Sequence, residues 1–181
     1  MIERYTTPEM RHLWSEENKY QTWMEVEIAV CEGLAHYGYI PAEAVETIRA
    51  RARFDPQRIT ELERETRHDV MAFVRNLAEN IGEAGRWVHY GITSYDVVDT
   101  ALALRLKRAI DLILTECDAL MSEIKRLALE HLQTPMIGRT HGIHAEPITF
   151  GFKLMGWYAE MARHRERLLR AQAEIAVGKV S

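Results

Sequence analysis

Residues Thr134 to Pro147 read TPMIGRTHGIHAEP and separate two long segments of helical periodicity. Pro135, Gly138, Gly142 and Pro147 exclude a continuous helix and permit tight turns. A connection of this length without secondary structure is uncommon in a compact domain and is often functional. The stretch is therefore expected to be an irregular loop. Arg139, Thr140, His141 and His144 crowd charge and hydrogen-bonding capacity into a few residues, and histidine titrates closest to neutral pH. A plain connection with two solvated histidines has the same composition.

Upstream, Asp96 to about Leu132 reads as one helix, about 55 Å long at about 1.5 Å per residue. Leu102, Leu106, Ala109, Ile113, Cys117, Leu120, Ile124 and Leu127 recur at threes and fours. Ile110, Leu112 and Leu114 widen that stripe beyond a two-helix seam, as in a bundle. Downstream, Pro147 is expected to start a second long helix running to about Val177. Its basic run, Arg163 to Arg170, is interleaved with glutamates and reads as a solvated face, not a nucleic-acid patch. Two such helices cannot cover so wide a stripe. The chain is therefore expected to self-associate and to be the front part of a longer protein. No strand pattern or internal repeat stands out.

The preceding residues read as a small helical unit, about 1–93, with 94–181 forming the first part of a long-helix bundle. Thr7 and Pro8 open a helix, Ser15 caps a second that runs to about Tyr37, and Asp55 with Pro56 starts another. Tyr20, Trp23, Met24, Cys31 and Leu34 form a core stripe, not a cofactor box. The fold class is all-α.

Three further places carry candidate chemistry. Arg67, His68 and Asp69 precede a helix with an apolar face of Val70, Phe73, Val74, Leu77 and Ile81. Helix N-termini favour anions, so Asp69 suits the dipole whereas Arg67 and His68 oppose it, which hints at function. His89 lies in the turn Trp87–Asp96, where Thr93 or Ser94 caps the next helix. The same hydroxyls and N–H groups can hold a phosphate or carboxylate. Arg4 and Tyr5 lie on a terminal tail that solvation alone would explain.

The totals set limits. The chain has 181 residues, 47% hydrophobic and 28% charged, with a net charge of -4. This is an ordinary globular composition that argues against general nucleic-acid binding. Cys31 and Cys117 fall within helical patterns and read as small buried apolar residues. No apolar signal segment or run of about 18 apolar residues exists, so no membrane span is expected and a cytoplasmic location is the default. His141 and His144 are three apart on a non-helical stretch without a nearby cysteine, and zinc usually needs three or four ligands, so no metal is expected.

Taken together, MIERY, TRHDV, WVHYGITSYDVVDTAL, GRTHGIHAEP, GFKL and VGKVS make the whole chain resemble the adenylosuccinate lyase family of the fumarase/aspartase superfamily. Fumarase and argininosuccinate lyase share the Gly138-Arg139-Thr140-His141 pattern but usually continue with Leu-Gln. Here Gly142-Ile143-His144-Ala145-Glu146-Pro147 follows, as in the adenylosuccinate branch. Tyr95 departs from the smaller polar residue more usual there.

The resemblance implies a small N-terminal helical domain, a central long-helix bundle and a C-terminal helical domain. It also implies a homotetramer with shared active sites and no metal or organic cofactor. The activity it implies is β-elimination of fumarate from adenylosuccinate, and from succinylaminoimidazole carboxamide ribotide. In that scheme His141 is the general acid, and His68 binds substrate and supports it. Arg4, Tyr5 and Arg67 hold the phosphate end with Asp69 beside them. Thr93, Ser94 and Thr140 hold the succinyl carboxylates, and His89 lines the pocket. The family's serine base lies in a Ser-Ser-x-Met-Pro-x-Lys-x-Asn-Pro signature that is absent here, so the chain alone is expected to be inactive. The alternatives are another lyase of the superfamily, such as argininosuccinate lyase, or a helical assembly module without catalysis.

Overall fold

The structure, a computed structural model, describes residues 2–181. It is all-α apart from one two-stranded hairpin among those residues. In chain order the elements are α1 (Pro8–Leu13), α2 (Glu16–His36), α3 (Ala42–Arg51), α4 (Pro56–Thr66), α5 (Asp69–Ile81), α6 (Ser94–Glu130), β1 (Pro135–Thr140), β2 (Ile143–Thr149) and α7 (Phe150–Ile175). Short 3-10 turns cover Glu3–Tyr5 and Glu83–Trp87. No helix of the described residues is long and apolar enough to cross a membrane.

Several helices begin where side chains satisfy free N–H groups of the first turn, though α3 starts after Pro41 without such a cap. Thr7 accepts from the Met10 N–H at 3.3 Å and Ser15 from that of Asn18 at 3.1 Å. Asp55 accepts from Gln57 and Arg58 ahead of Pro56. The chain divides into two compact units. One runs to Lys107 and takes back Ile175–Ser181; the other is Arg108–Glu174.

The first unit has a core centred on Phe73. The Tyr20 ring stacks on it at 5.7 Å and Trp23 meets it edge-on at 5.5 Å. Ile48, Ile59, Leu62, Leu77 and Ile81 complete it, each almost free of solvent. Full burial of such a side chain stabilises by about 1.5–3 kcal/mol. The aromatics are core, as their spacing indicates. Cys31 is also buried and unpaired, and burial, reinforced by Glu27 and Glu32, pushes its thiol up to about 12. Arg105 of α6 reaches the end of α1, donating to the Leu13 carbonyl at 3.1 and 2.9 Å while its guanidinium lies 4.8 Å over Trp14.

In the second unit Ile124, Ala128 and Leu154 are buried, and Leu127, Phe150, Tyr158 and Met161 lie against them. Arg165 forks onto Asp118 at 2.6 and 3.1 Å. Much of the apolar stripe stays open: Ile113, Leu120, Leu129, Phe152, Met155 and Trp157 are each more than two-fifths exposed.

The stretch read as an irregular loop is an antiparallel hairpin, so the expectation of no strand fails here. Pro135 pairs with Thr149 and Thr140 with Ile143. The register slips between Ile137 and Arg139, so that Gly138 faces a bulge of two residues, Ala145 and Glu146, on β2, and a Cβ at Gly138 would stand 2.9 Å from the Glu146 carbonyl oxygen. His141 and Gly142 form a two-residue turn with φ of 49° and 73°. Two positive φ values are the signature of a type I′ turn, whose twist matches paired strands. β1 does not alternate apolar and polar residues, and β2 alternates only over Ile143, His144, Ala145 and Glu146 before Pro147, a residue that weakens a strand reading. Pro147 lies in β2, and α7 starts only at Phe150, where Thr149 accepts from the Phe152 N–H at 3.1 Å.

At the start of α7, Gly151 donates to the His131 carbonyl at 3.0 Å. A Cβ there would stand 2.5 Å from the Ala128 oxygen and 2.8 Å from Leu132 Cα. Backbone atoms cannot swing aside, so Gly151→Ala is expected to destabilise by about 1–3 kcal/mol, the usual range for overpacking. Gly156, with nothing within 4 Å of its Cβ position, is the control: Gly156→Ala is expected to be stabilising by up to about 1 kcal/mol from helix propensity. Denaturant unfolding of both variants measures the contrast, and equal effects would mean that the close approach does not select glycine at Gly151.

Candidate functional site

Arg4 and Tyr5 form part of a 3-10 turn, exposed, with the Arg4 guanidinium 4.9 Å over the Tyr5 ring. The tail thus has local order through a cation–π contact, and both groups remain open to a ligand.

Arg67 is the C-cap of α4, with φ 54° and its N–H bonded to the Glu63 carbonyl. The positive charge therefore sits at the negative end of α4, where the dipole favours it. The expectation that Arg67 stands against local preference considered only the following helix. His68 is the N-cap of α5. Its Nδ1 accepts from the Met71 N–H at 3.4 Å, so a local role accounts for its placement too. An accepting Nδ1 puts the proton of a neutral ring on Nε2. That nitrogen lies 3.3 Å from Ser94 Oγ and can donate to it. Asp69 lies 3.4 Å from the same Nδ1 and accepts from the Val70 N–H at 2.8 Å. His68 and Ser94, 26 residues apart, are thus joined directly.

Thr93 precedes α6, and its N–H donates to Asp96 at 2.8 Å while its carbonyl accepts from the Asp96 N–H. This is the reaching-back half of a capping box, with aspartate in place of glutamate. Asp96 serves the cap, leaving the Ser94 hydroxyl available to His68. The buried Asp96 also takes the Lys179 ammonium at 3.2 Å and the Ser181 N–H and hydroxyl at 2.9 and 3.0 Å.

His89 occupies a turn with φ 63°. Its backbone N–H and its ring Nδ1 both meet Glu27 of α2, at 2.8 and 2.6 Å. Glu27 is 1% exposed. The sequence reading did not single it out, yet a signal existed: a carboxylate at the fourth position after Trp23 and the fourth before Cys31, inside the apolar stripe of α2.

In the other compact unit, Thr140 and His141 stand exposed at the hairpin tip, with Thr140 Oγ1 and His141 Nδ1 2.9 Å apart. A Thr140 hydroxyl donating to Nδ1 leaves the ring proton on Nε2, which can then act as a donor.

The left-handed region is rare for non-glycine residues and tends to persist where a function uses it. Among the described residues it holds three of them: Arg67, His89 and His141. One comes from each of the candidate stretches at 67–69, 87–96 and 134–147.

A family model described as Lyase matches residues 3–181. The chain is 58% identical to an adenylosuccinate lyase of Synechocystis sp., over all of this chain and 42% of that protein. It is 54% identical to an adenylosuccinate lyase of Bacillus subtilis, again over all of this chain and 42% of the relative. The crystal structure of a fumarate lyase from Mesorhizobium sp. BNC1 matches with a TM-score of 0.90 at 31% identity, over 96% of this chain and 42% of that one. The chain thus spans less than half the length of these relatives.

The contacts on Asp96 give a pH prediction. The Thr93 N–H first, then Ser181 and Lys179, hold its carboxyl down at about 2, below the ordinary 3.8. A carboxylate lowered on folding contributes stability above its unfolded value and loses it as pH falls through the folded one. Stability is therefore expected to fall between about pH 4 and pH 2, and Asp96→Asn is expected to lower Tm at pH 7 and flatten that acid limb. Thermal unfolding across pH measures both.

Proposed function

The chain belongs to this lyase family, and from that membership we propose that the complete protein is an adenylosuccinate lyase, releasing fumarate from adenylosuccinate to leave AMP. It would act likewise on succinylaminoimidazole carboxamide ribotide in purine biosynthesis. The observation that carries the reading is the coincidence of strain and motif: Arg67, His89 and His141 take left-handed backbone in the three loops whose sequence marks them as sites.

The reaction removes a proton beside one carboxylate, forms the carbon–carbon double bond and breaks the carbon–nitrogen bond, and the departing nitrogen receives a proton. In this proposal His141 supplies that proton from Nε2, with Thr140 fixing the opposite edge of the ring. His68, tied to Ser94, binds substrate and supports the acid. Thr93, Ser94 and Thr140 receive the succinyl carboxylates. Arg4, Tyr5 and Arg67 receive the phosphate with Asp69 beside them, and His89 faces the pocket. The chemistry needs no metal or organic cofactor. The exposed apolar residues on α6 and α7 support assembly into a homotetramer, since broad apolar patches seldom stay open on monomers. A cytoplasmic location completes the reading.

Fumarate release by the complete protein tests the activity, with adenylosuccinate as the expected substrate and argininosuccinate as the inactive comparison. In that assay His141→Ala is expected to lower kcat by about 10²- to 10⁴-fold, the range for a lost general acid, with little change in KM because the acid acts in the transition state. A variant within threefold of the parent removes His141 from the role.

The phosphate assignment has its own check. Arg67→Ala is expected to raise Kd for AMP about tenfold or more, in line with the loss of one charge-assisted contact, and to leave the affinity for adenosine nearly unchanged. Calorimetric titration of the complete protein with both ligands compares them. Equal losses would mean that Arg67 does not meet the phosphate.

A further inference from the structure

Glu27 is the carboxylate of the first unit that lies deepest, 1% exposed in the middle of α2 and surrounded by the core. A buried carboxylate is strongly unfavourable unless its oxygens are met by donors. Here a single residue supplies both donors. One oxygen takes the His89 backbone N–H at 2.8 Å and the other takes the His89 ring at Nδ1, 2.6 Å away. The two residues are 62 positions apart in sequence, so this clamp is built by the fold and not by a local turn. It also accounts for the backbone of His89: the left-handed conformation lets main chain and ring of one residue face one carboxylate.

We propose that Glu27 is a positioning residue that fixes His89 with Nδ1–H engaged inward, so that Nε2 alone is left to meet the substrate. The proposal rests on the reading of His89 as a substrate contact. An ionised carboxylate only accepts hydrogen bonds. Nδ1 must therefore donate, and the tautomer of the neutral ring follows: the proton is on Nδ1 and the lone pair on Nε2. A histidine whose inner nitrogen is held by a carboxylate is constrained in both ring orientation and proton position, as in other carboxylate–histidine pairs. The His89 side chain is 13% exposed, so the ring is gripped on one side and reaches solvent over a small edge.

Glu27→Gln separates this role from simple packing, because it keeps shape while changing donors and acceptors. The amide has one oxygen and one NH₂. If the oxygen takes the His89 backbone N–H, the NH₂ faces Nδ1 and forces the ring proton to Nε2. If the oxygen takes Nδ1–H, the NH₂ faces the backbone N–H, two donors head to head. Neither arrangement reproduces the parent site.

Neutron diffraction from deuterated crystals of the complete protein reads the proton directly. The expected result is deuterium on His89 Nδ1 in the parent, with or without a second on Nε2, and a move to Nε2 in Glu27→Gln. Deuterium on Nε2 alone in the parent overturns the clamp, and this measurement needs no variant to fold. Fumarate release then tests the consequence: Glu27→Gln is expected to lower kcat/KM by about tenfold or more, the scale seen when supporting partners of functional histidines are lost, and His89→Asn to lower it at least as far. A folded Glu27→Gln within twofold of the parent overturns the positioning role. A His89→Asn variant within twofold instead overturns the reading of His89 as a substrate contact, on which the proposal rests, while the deuterium map stands as a separate result.

Discussion

A helix leaves its first N–H groups without partners inside the helix, and that constraint organises this structure. Most starts are met by a particular side chain: Thr7, Ser15, Asp55 and His68 at shorter helices, and Asp96 reaching back to Thr93 at the longest, whereas α3 begins after Pro41 without a side-chain cap. The N–H groups that a cap satisfies at a helix start are the same donors that can hold an anion. His68 and Asp96 show how the two roles divide. Asp96 takes the structural duty at α6 and thereby leaves Ser94 free, whereas His68 caps α5 with one nitrogen and offers the other to Ser94.

The helices were legible because their apolar residues recur at threes and fours, and the ends were legible because Thr-Pro, Ser and Asp-Pro are strong start signals. The hairpin was not. Met136 and Ile137 are adjacent in β1, the alternation of β2 covers only residues 143–146 before Pro147, and the pairing is held by backbone bonds and by the turn. The local signals are that short alternation and His141 followed by Gly142, and histidine is a less familiar first residue for such a turn than asparagine. The start of α7 differs from expectation because proline is a common helix opener, whereas Pro147 pairs with Ile137 in the hairpin and α7 begins at Phe150.

The site divides similarly. Crowded polar residues made the three loops visible, but backbone strain is not written in residue type: nothing in the letters shows that Arg67, His89 and His141 would turn left-handed. Arg67 was read against the helix that follows it, and only its place at the end of the helix before it supplied the missing half of the electrostatics. Glu27 was missed because its partner is far away in sequence, so its meaning depends on tertiary contact. Local rules identify which residues are unusual, and the fold decides what they touch.

A ribbon of only two strands has two outer edges, and each edge is a row of backbone groups that another extended chain could join. In this hairpin Pro135 opens β1, Pro147 lies within β2, and the bulge at Ala145 and Glu146, opposite Gly138, breaks the regular spacing of β2. Proline offers no N–H to an incoming strand, and a bulge adds local twist. The segment that carries His141 into solvent is thus poorly suited to edge-to-edge pairing, so its exposure does not become a templating surface for misassembly.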